Sequence, residues 1–536
     1  MAKRSGKKKV ELPVKASKAT KRAEASYFRG NQSAFLKTWK PNLRETSEDV
    51  RASWQDAASR AIDAFQNSGF IAGIVEAAAS ATVGSGLTLS SQPDAAALGW
   101  TEEEAAEWAD EVERGYLAWS TDPIECDAAG RMTFGQMQDA AFKGWFFYGE
   151  ILSLLPIFQR AKGGSFTKVS LLPPSRLVRK SDGLRKIDGI TVDAWGMAQS
   201  YSITMRDATG MRVEREHNAF DRDGRRKVAH VFEPSIQGYR GISPLAPVLK
   251  VVNQFDQFQD ATLTTALLQT IFAATVKSNL SGIRAFDGLM TENENGQSSL
   301  NLAGYTEARS AWYDDARIDL TQHGRIAHLF PNEELDFKEA KHPSATYDLF
   351  VQWLLREICI CAGVTYTAGT NDSRNATYSS VRMDTAVNWG VVLRRRSFIV
   401  SPFCQAVFST WLEDSIGMGK ISFPGGLDAF LANRSAATKS SWNGPAQPQA
   451  DDLKTARAFQ ALKDMGVFSI SRISEAYGID PENEQRQRAR ERKTAEKLGL
   501  PDPHADPNVD PAFNRDEQGD NEDKTDDPSF VPDPGA

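Results

Sequence analysis

The stretch "RGISPLAPVLKVVNQFDQFQDATLTTALLQTIFAATVKSN" (240–279) limits the possible folds more than any other part of this chain. Ser243 is placed to cap a helix, Pro244 suits its first turn, and helical periodicity then persists for about thirty residues. The second half is apolar or small around almost its whole circumference, so such a helix must be covered on several sides. Burial at the centre of a monomer meets that demand, and so does packing between neighbouring copies in a ring. A membrane span does not fit, because the uncharged run 261–276 is short for one and is interrupted by Thr and Gln.

A second helical segment, "TYDLFVQWLLREICICAG" (346–363), is stopped by Gly363. A short polar stretch follows, and another long helical pattern then starts near Tyr378. That pattern is bent or interrupted at Pro402 and resumes as "FCQAVFSTWLEDSIG". Upstream, Trp54, Ala58, Ala61 and Phe65, then Ile71, Ile74 and Ala78, recur at helical spacing on either side of a break at "NSGF" (67–70). "VGSGL" closes that block with glycines, and Thr101 followed by acids opens the next. "TFGQMQDAAFKGWFFYGE" (133–150) is again amphipathic. From about residue 151 short β-branched runs predict a mixed or antiparallel sheet of about five strands, with a turn at Asp193 and Gly196. Residues 280–345 read as loops and short strands with "TENENGQ" at a tip, and 451–500 as a small helical unit.

With 536 residues the chain exceeds one compact core, and three to four domain-sized units are expected. The net charge of −7 conceals two opposite tails. Residues 1–29 hold ten Lys/Arg against Glu11 and Glu24, and residues 501–536 hold eleven Asp/Glu against Arg515 and Lys524. Both are expected to be disordered. The basic arm suits nucleic acid, an acidic protein surface or plain solvent. Cys126, Cys359, Cys361 and Cys404 lack zinc-site spacing and read as buried free thiols of a soluble, cytosolic protein without a signal peptide.

Catalytic signatures are missing. The nearest string to a phosphate-binding loop, "GMGKI" (417–421), has Ile421 where a hydroxyl is needed for magnesium. His323 and His328 lie five apart without the intervening Glu of a zinc helix. Arg394, Arg395 and Arg396 spread over more than half a helical turn, so they cannot all face one partner. One is expected to pair with an acid, and they are candidates for DNA or subunit contacts. No metal, no cofactor and no enzymatic activity are expected.

The order of elements, and the residues within them, resemble the portal proteins of tailed bacteriophages, of the lambda type. The resemblance is carried by "GFIAGIVEAAASATVGSGLTL" (69–89), "FGQMQDAAFKGWFFYGEIL" (134–152), "VAHVFEPSIQGYRGISPLAPVLKVV" (228–252) and "FPNEELDFKEAKHPSATYDLFVQWLLREICICAGVTY" (330–366). It continues through "NATYSSVRMD" (375–384) and "DDLKTARAFQALKDMGVFSISRISEAYGIDPE" (451–482), covering roughly 45–500. Two strings depart from the family. Its Arg-Pro-Gly-Gln-x-Arg-Gly appears as "EPSIQGYRG", keeping Gln237, Arg240 and Gly241. Its aliphatic-Pro-Pro-Gly-Glu string keeps only Pro331 and Glu333.

The resemblance implies a multidomain α+β portal fold, with long stem helices, a mixed α/β wing and a small helical crown, assembled as a ring. Its divisions would be a basic arm (1–44), wing (45–240), stem helix (241–279), clip (280–345), second stem helix (346–363), tunnel loop (364–377), long bent helix and wing return (378–449), crown (450–500) and acidic tail (501–536). The loop residues Asn371, Asp372, Ser373, Arg374, Asn375 and Thr377 would face a DNA channel. Gln237, Arg240, Gly241, Pro244, His342, Pro343, Arg356, Tyr378, Ser379, Ser380 and Arg382 would be structural motif positions. A homo-oligomer, typically a dodecamer, would sit at one capsid vertex of the virion after assembly in the host cytoplasm. Its partners would be the large terminase subunit, the major capsid and scaffold proteins, a head-completion adaptor and double-stranded DNA without sequence preference, with no membrane. The competing readings are a phage-encoded nuclease or head-maturation protease, a capsid or scaffold protein that forms no channel, and, for 364–377, a plain interhelix spacer.

Overall fold

The structure, a computed structural model, describes residues 43–182, 185–207, 209–236, 238–271, 274–278, 290–292, 298–300, 307, 310–311, 333–337, 347–374, 376–448, 452–479 and 481–504. Two helices, α1 (Thr46–Asn67) and α2 (Gly69–Thr82), are separated at Ser68, where the "NSGF" break was expected. Of the predicted inward positions, Trp54, Ala58, Ala61, Ile71, Ile74 and Ala78 are buried and Phe65 is half-buried, and Ala64 and Val75 join them. Gly84 (φ 60°) and Gly86 (φ 123°) take the left-handed backbone after α2. Helices α3 (Glu102–Thr121) and α4 (Phe134–Tyr148) each open on a reciprocal cap, Thr101 with Glu104 and Thr133 with Gln136.

The predicted sheet is two sheets. One has strand order β3-β2-β8, from β2 (Glu150–Leu154), β3 (Ser170–Leu172) and β8 (Val228–Phe232), with Leu152 opposite both Leu172 and His230. The other is a meander of β4 (Lys186–Ile187), β5 (Ile190–Val192), β6 (Ala198–Arg206) and β7 (Arg212–Asn218). The β5–β6 turn forms as read: Asp193 Oδ1 accepts from the amides of Trp195 and Met197, each at 2.8 Å, and Gly196 sits at φ 89°. A distant pairing, β1 (Thr88–Ser91) with β13 (Ser440–Asn443), sets Leu89 opposite Trp442.

Helix α5 (Leu249–Ile271) begins later than the sequence suggested. Ser243 does not cap it: its Oγ accepts from Leu245 N at 3.2 Å in a turn that leads into 3-10 helix (Ala246–Val248), shaped by Pro244 and Pro247, before α5. After α5 the chain leaves through β9 (Ala274–Ser278) and returns through the antiparallel β12 (Glu333–Phe337). Between them β10 (Met290–Glu292) pairs with β11 (Ser298–Leu300), flanking the expected "TENENGQ" tip; the tip's centre, His323 and His328 lie outside the described residues.

Helix α6 (Tyr347–Ala362) ends at Gly363 (φ 63°), a short α7 (Tyr366–Thr370) follows, and α8 (Tyr378–Arg395) rises from the capping box of Thr377 and Ser380. Five residues of π-helix, Arg396–Val400, join α8 to α9 (Ser401–Gly417). The predicted interruption at Pro402 therefore appears as a widened turn. Proline has no N–H to donate and crowds the carbonyl four residues back, and the π turn accommodates both. The polar string "GMGKI" closes α9 instead of opening a helix; the amides of Met418 and Lys420 are taken up by the carbonyls of Asp414 and Ser415.

The most enclosed helix is α9. Phe403, Val407, Phe408, Trp411 and Leu412 are each at most 3% exposed, in one core with Ile71 and Ile74 of α2, Tyr116 and Trp119 of α3, and Phe142 and Phe146 of α4. The 240–279 helix shows the reverse: Leu263 of α5 is 61% exposed. α10 (Gly426–Ala432) adds Phe430 to that core, and α11 (Asp452–Asp464), α12 (Ile470–Ala476) and α13 (Pro481–Leu498) form the expected small helical unit. No helix among the described residues is long and apolar enough to cross a membrane.

Candidate channel loop and its supporting helices

Segment 364–377 was expected as a polar loop; five of its residues, Tyr366–Thr370, are helix. Thr365 Oγ1 accepts from Ala368 N at 3.2 Å, which nucleates α7, and Asn371 closes it in the left-handed region (φ 55°). This turn rests against the body through glycine. A Cβ at Gly369 would lie 2.8 Å from Cys359 Sγ and 3.1 Å from Ile74 Cγ1, so only glycine allows α7 to lie on α2 and α6 at this distance. The Arg356 guanidinium lies over the Tyr366 ring, 5.3 Å from its centroid.

Charge within the segment is internally matched. Asp372 accepts from Arg374 Nε at 2.9 Å and Nη2 at 2.8 Å, and Arg374 Nη2 also lies 3.7 Å from Asp348 at the start of α6. The Arg374 hydrogen bonds hold the Asp372 carboxyl well below the usual carboxylate range. Tyr366 Oη donates to Asp372 at 3.4 Å. Ser373 O accepts from Ala376 N at 3.0 Å, which turns the chain toward α8. Beside the segment, α6 and α8 enclose an open groove of about 590 Å³, lined in part by Ile360, Tyr366, Asp372, Asp384, Val387 and Val391.

The three consecutive arginines each have partners within the subunit, and the expected pairing of one with an acid is that of Arg394. Arg394 pairs with Glu233. Arg395 donates to Ala362 O and stacks over Trp145 and Phe146; Arg396 donates to the carbonyls of Thr82 (3.0 Å), Ala81 (3.1 Å) and Pro445 (2.9 Å). Burial pulls both Arg395 and Arg396 down to about 10, still charged at neutral pH. Arg396 lies four residues after Val392, the buried position of α8, and so faces inward with it.

A second polar centre lies where β2 meets the approach to α5. Glu150, fully buried, accepts from Arg240 Nε at 2.9 Å and lies 2.9 Å from His230 Nε2. Burial alone would raise its pKa, but Arg240 and His230 outweigh that and hold it down to about 2. Gly241 N also donates to Glu150, at 3.3 Å, and Arg240 covers the Trp54 ring at 4.7 Å. A Cβ on Gly241 would lie 2.0 Å from Gly149 O, and one on Gly149 would lie 2.1 Å from Ile242 C, so neither position has room for a side chain.

The model of the lambda family of phage portal proteins matches residues 32–396, more than half of the chain. The chain belongs to that family. Among curated relatives, portal protein B of Escherichia phage lambda is 26% identical over 493 residues, covering 90% of this chain and 92% of its own. The portal protein of Escherichia phage N15 is 25% identical over 477 residues, covering 87% and 89%. A solved neck of an empty GTA particle overlaps 83% of this chain and 95% of its own at 14% identity and a TM-score of 0.42.

In this portal protein the motif positions separate by surroundings. Arg240 and Gly241 form the buried centre just described. Pro244 O accepts from Cys361 Sγ at 3.0 Å, which joins the entry of α5 to α6. Tyr378 lies beneath Lys454 of α11, 5.7 Å from Nζ to the ring centroid, while Ser379 and Arg382 are exposed. Gln237, His342, Pro343 and Asn375 lie outside the described residues. The expected buried thiols hold for Cys126, Cys359 and Cys404, and Cys361 is half-buried. Sequence reasoning missed α7, although Thr365 as a cap and Asn371 as a left-handed stop were its signals. It also missed Glu150 as the partner of Arg240, for which no local pattern exists across ninety residues.

Proposed function

We propose that this portal protein works as a closed ring around duplex DNA, at one capsid vertex, with 364–377 lining the channel. One observation carries the ring: α8 buries a single residue, Val392, along its 18 residues, while Met383 and Val387 of α8 and Trp353 and Ile360 of α6 stay 66–79% exposed. A helix with so little core of its own takes its stability from contacts outside the subunit. Copies packed side by side supply them. A family-typical count of twelve is the expected stoichiometry. The terminase docks on 280–345, the capsid, scaffold and head-completion proteins meet the outer surfaces, and assembly takes place in the host cytoplasm.

For the channel, the relevant chemistry is what the loop withholds. Cations that track phosphates bind with strong, salt-dependent affinity and would slow DNA in transit. Arg374 is the only Lys or Arg within 364–377, and it is matched by Asp372 and Asp348. The surface left to DNA is hydroxyls and amides. Freeing the arginine with Asp372→Asn and Asp348→Asn is expected to slow packaging at low salt and to restore it as salt rises. Unchanged packaging at every salt concentration would make the loop a spacer.

A further inference from the structure

We infer that the acidic segment 516–527 of this chain lies along one side of α13, on the cations Arg490, Lys493 and Lys497. These three recur at steps of three and four residues and so share one side of the helix. All are exposed, and none has an ion-pair partner among the described residues. The other arginines of α13 are matched: Arg486 with Asp110 of α3, Arg488 with Glu484 at 3.1 Å, and Arg492 with Asp502 at 2.8 Å.

The path of the chain after α13 selects the occupant. Gly499 (φ 69°) closes the helix, with Leu500 N donating to Ala495 O at 2.9 Å, and the chain turns back. Asp502 meets Arg492, and His504 Nε2 lies 2.8 Å from Glu491 Oε2, so the chain has already returned along α13 before most of its acids begin. Residues 516–527 hold seven Asp/Glu against Lys524, a like-charge block of the kind that serves as an interaction tail. The intervening 505–515 can extend to at most about 40 Å, and a helix is only about 10–12 Å across. The acids therefore reach the side that holds Arg490, and tethering gives them an effective concentration on the order of mM there. The contacts of Asp502 and His504 favour α13 over the other strongly cationic segment, residues 1–29, because they start the tail on this helix. With the acids in place, α13 withholds three cations from phosphates, as Asp372 withholds Arg374 in the channel segment.

The test uses the full chain. In one variant the seven acids become amides: Asp516→Asn, Glu517→Gln, Asp520→Asn and their counterparts at 522, 523, 526 and 527. Acetylation of Lys493 and Lys497, read by peptide mass spectrometry, should be about fivefold slower in wild type than in the variant at low salt, and equal at high salt. A random-sequence duplex titrated by fluorescence anisotropy at low salt should bind the variant about tenfold more tightly. Adding Arg490→Gln, Lys493→Gln and Lys497→Gln should return that affinity to the wild-type value. Equal acetylation of the two proteins at low salt would overturn the inference and leave the cations as a solvated face. A gain in DNA binding that survives the three added substitutions would overturn it as well, placing the acids on residues 1–29 or another basic surface. Neither result bears on the ring.

Discussion

Glu150 and Arg240 are the residues where removing one side chain has the largest consequence. Taking away Arg240 leaves a buried carboxylate with only the hydrogen bonds of His230 and the Gly241 amide, and breaking such a pair costs about 3–5 kcal/mol. Arg240→Met is expected to lower the denaturant midpoint accordingly, and Glu150→Met added to it to recover a good part of the loss. The pH dependence has a defined sign. Because the folded carboxyl sits near 2 against an ordinary 4.5, its contribution is complete above pH 4.5 and is lost as pH falls toward 2. That shift corresponds to about 3 kcal/mol. Glu150→Gln should therefore flatten acid unfolding monitored by circular dichroism between pH 4.5 and 2. An unaltered acid limb would mean that the pair does not join the sheet to the α5 entry.

At the level of elements, periodicity and caps were legible because they are local. Thr101, Thr133 and Gly363 each act within one helical turn, and the α1–α2 break needs only Ser68 and its neighbours. What the sequence misdirected depended on distant partners. Of the two covers it offered for the 240–279 helix, the centre of the subunit is not the one used; it did not single out α9 as the enclosed helix, because α2, α3 and α4 return to it from more than 250 residues earlier. The same limit applies to α7, whose docking is set by Gly369 against Cys359 and Ile74. Gly369→Leu should raise amide exchange across 366–377 by at least tenfold while leaving α9 protected. If 366–377 exchange no faster than wild type, α7 is not held by that contact. Phe408→Ala, in the α9 core, should instead destabilise the whole subunit by about 3–5 kcal/mol, read from the denaturant midpoint.

For the whole molecule, the distribution of apolar surface is what needs explaining. The body around α9 satisfies itself, with two sheets and three helices closed over aromatic side chains. The helices α5, α6 and α8 do not, and they leave Leu263, Trp353, Ile360, Met383 and Val387 exposed. The proposed ring gives this asymmetry its meaning, since in it one subunit is a part and not the working unit. Electron microscopy of the purified full-length protein is the most direct test. The account predicts closed rings with a central aperture wide enough for a double helix; a folded, solitary subunit persisting at high concentration, with no aperture, would contradict it.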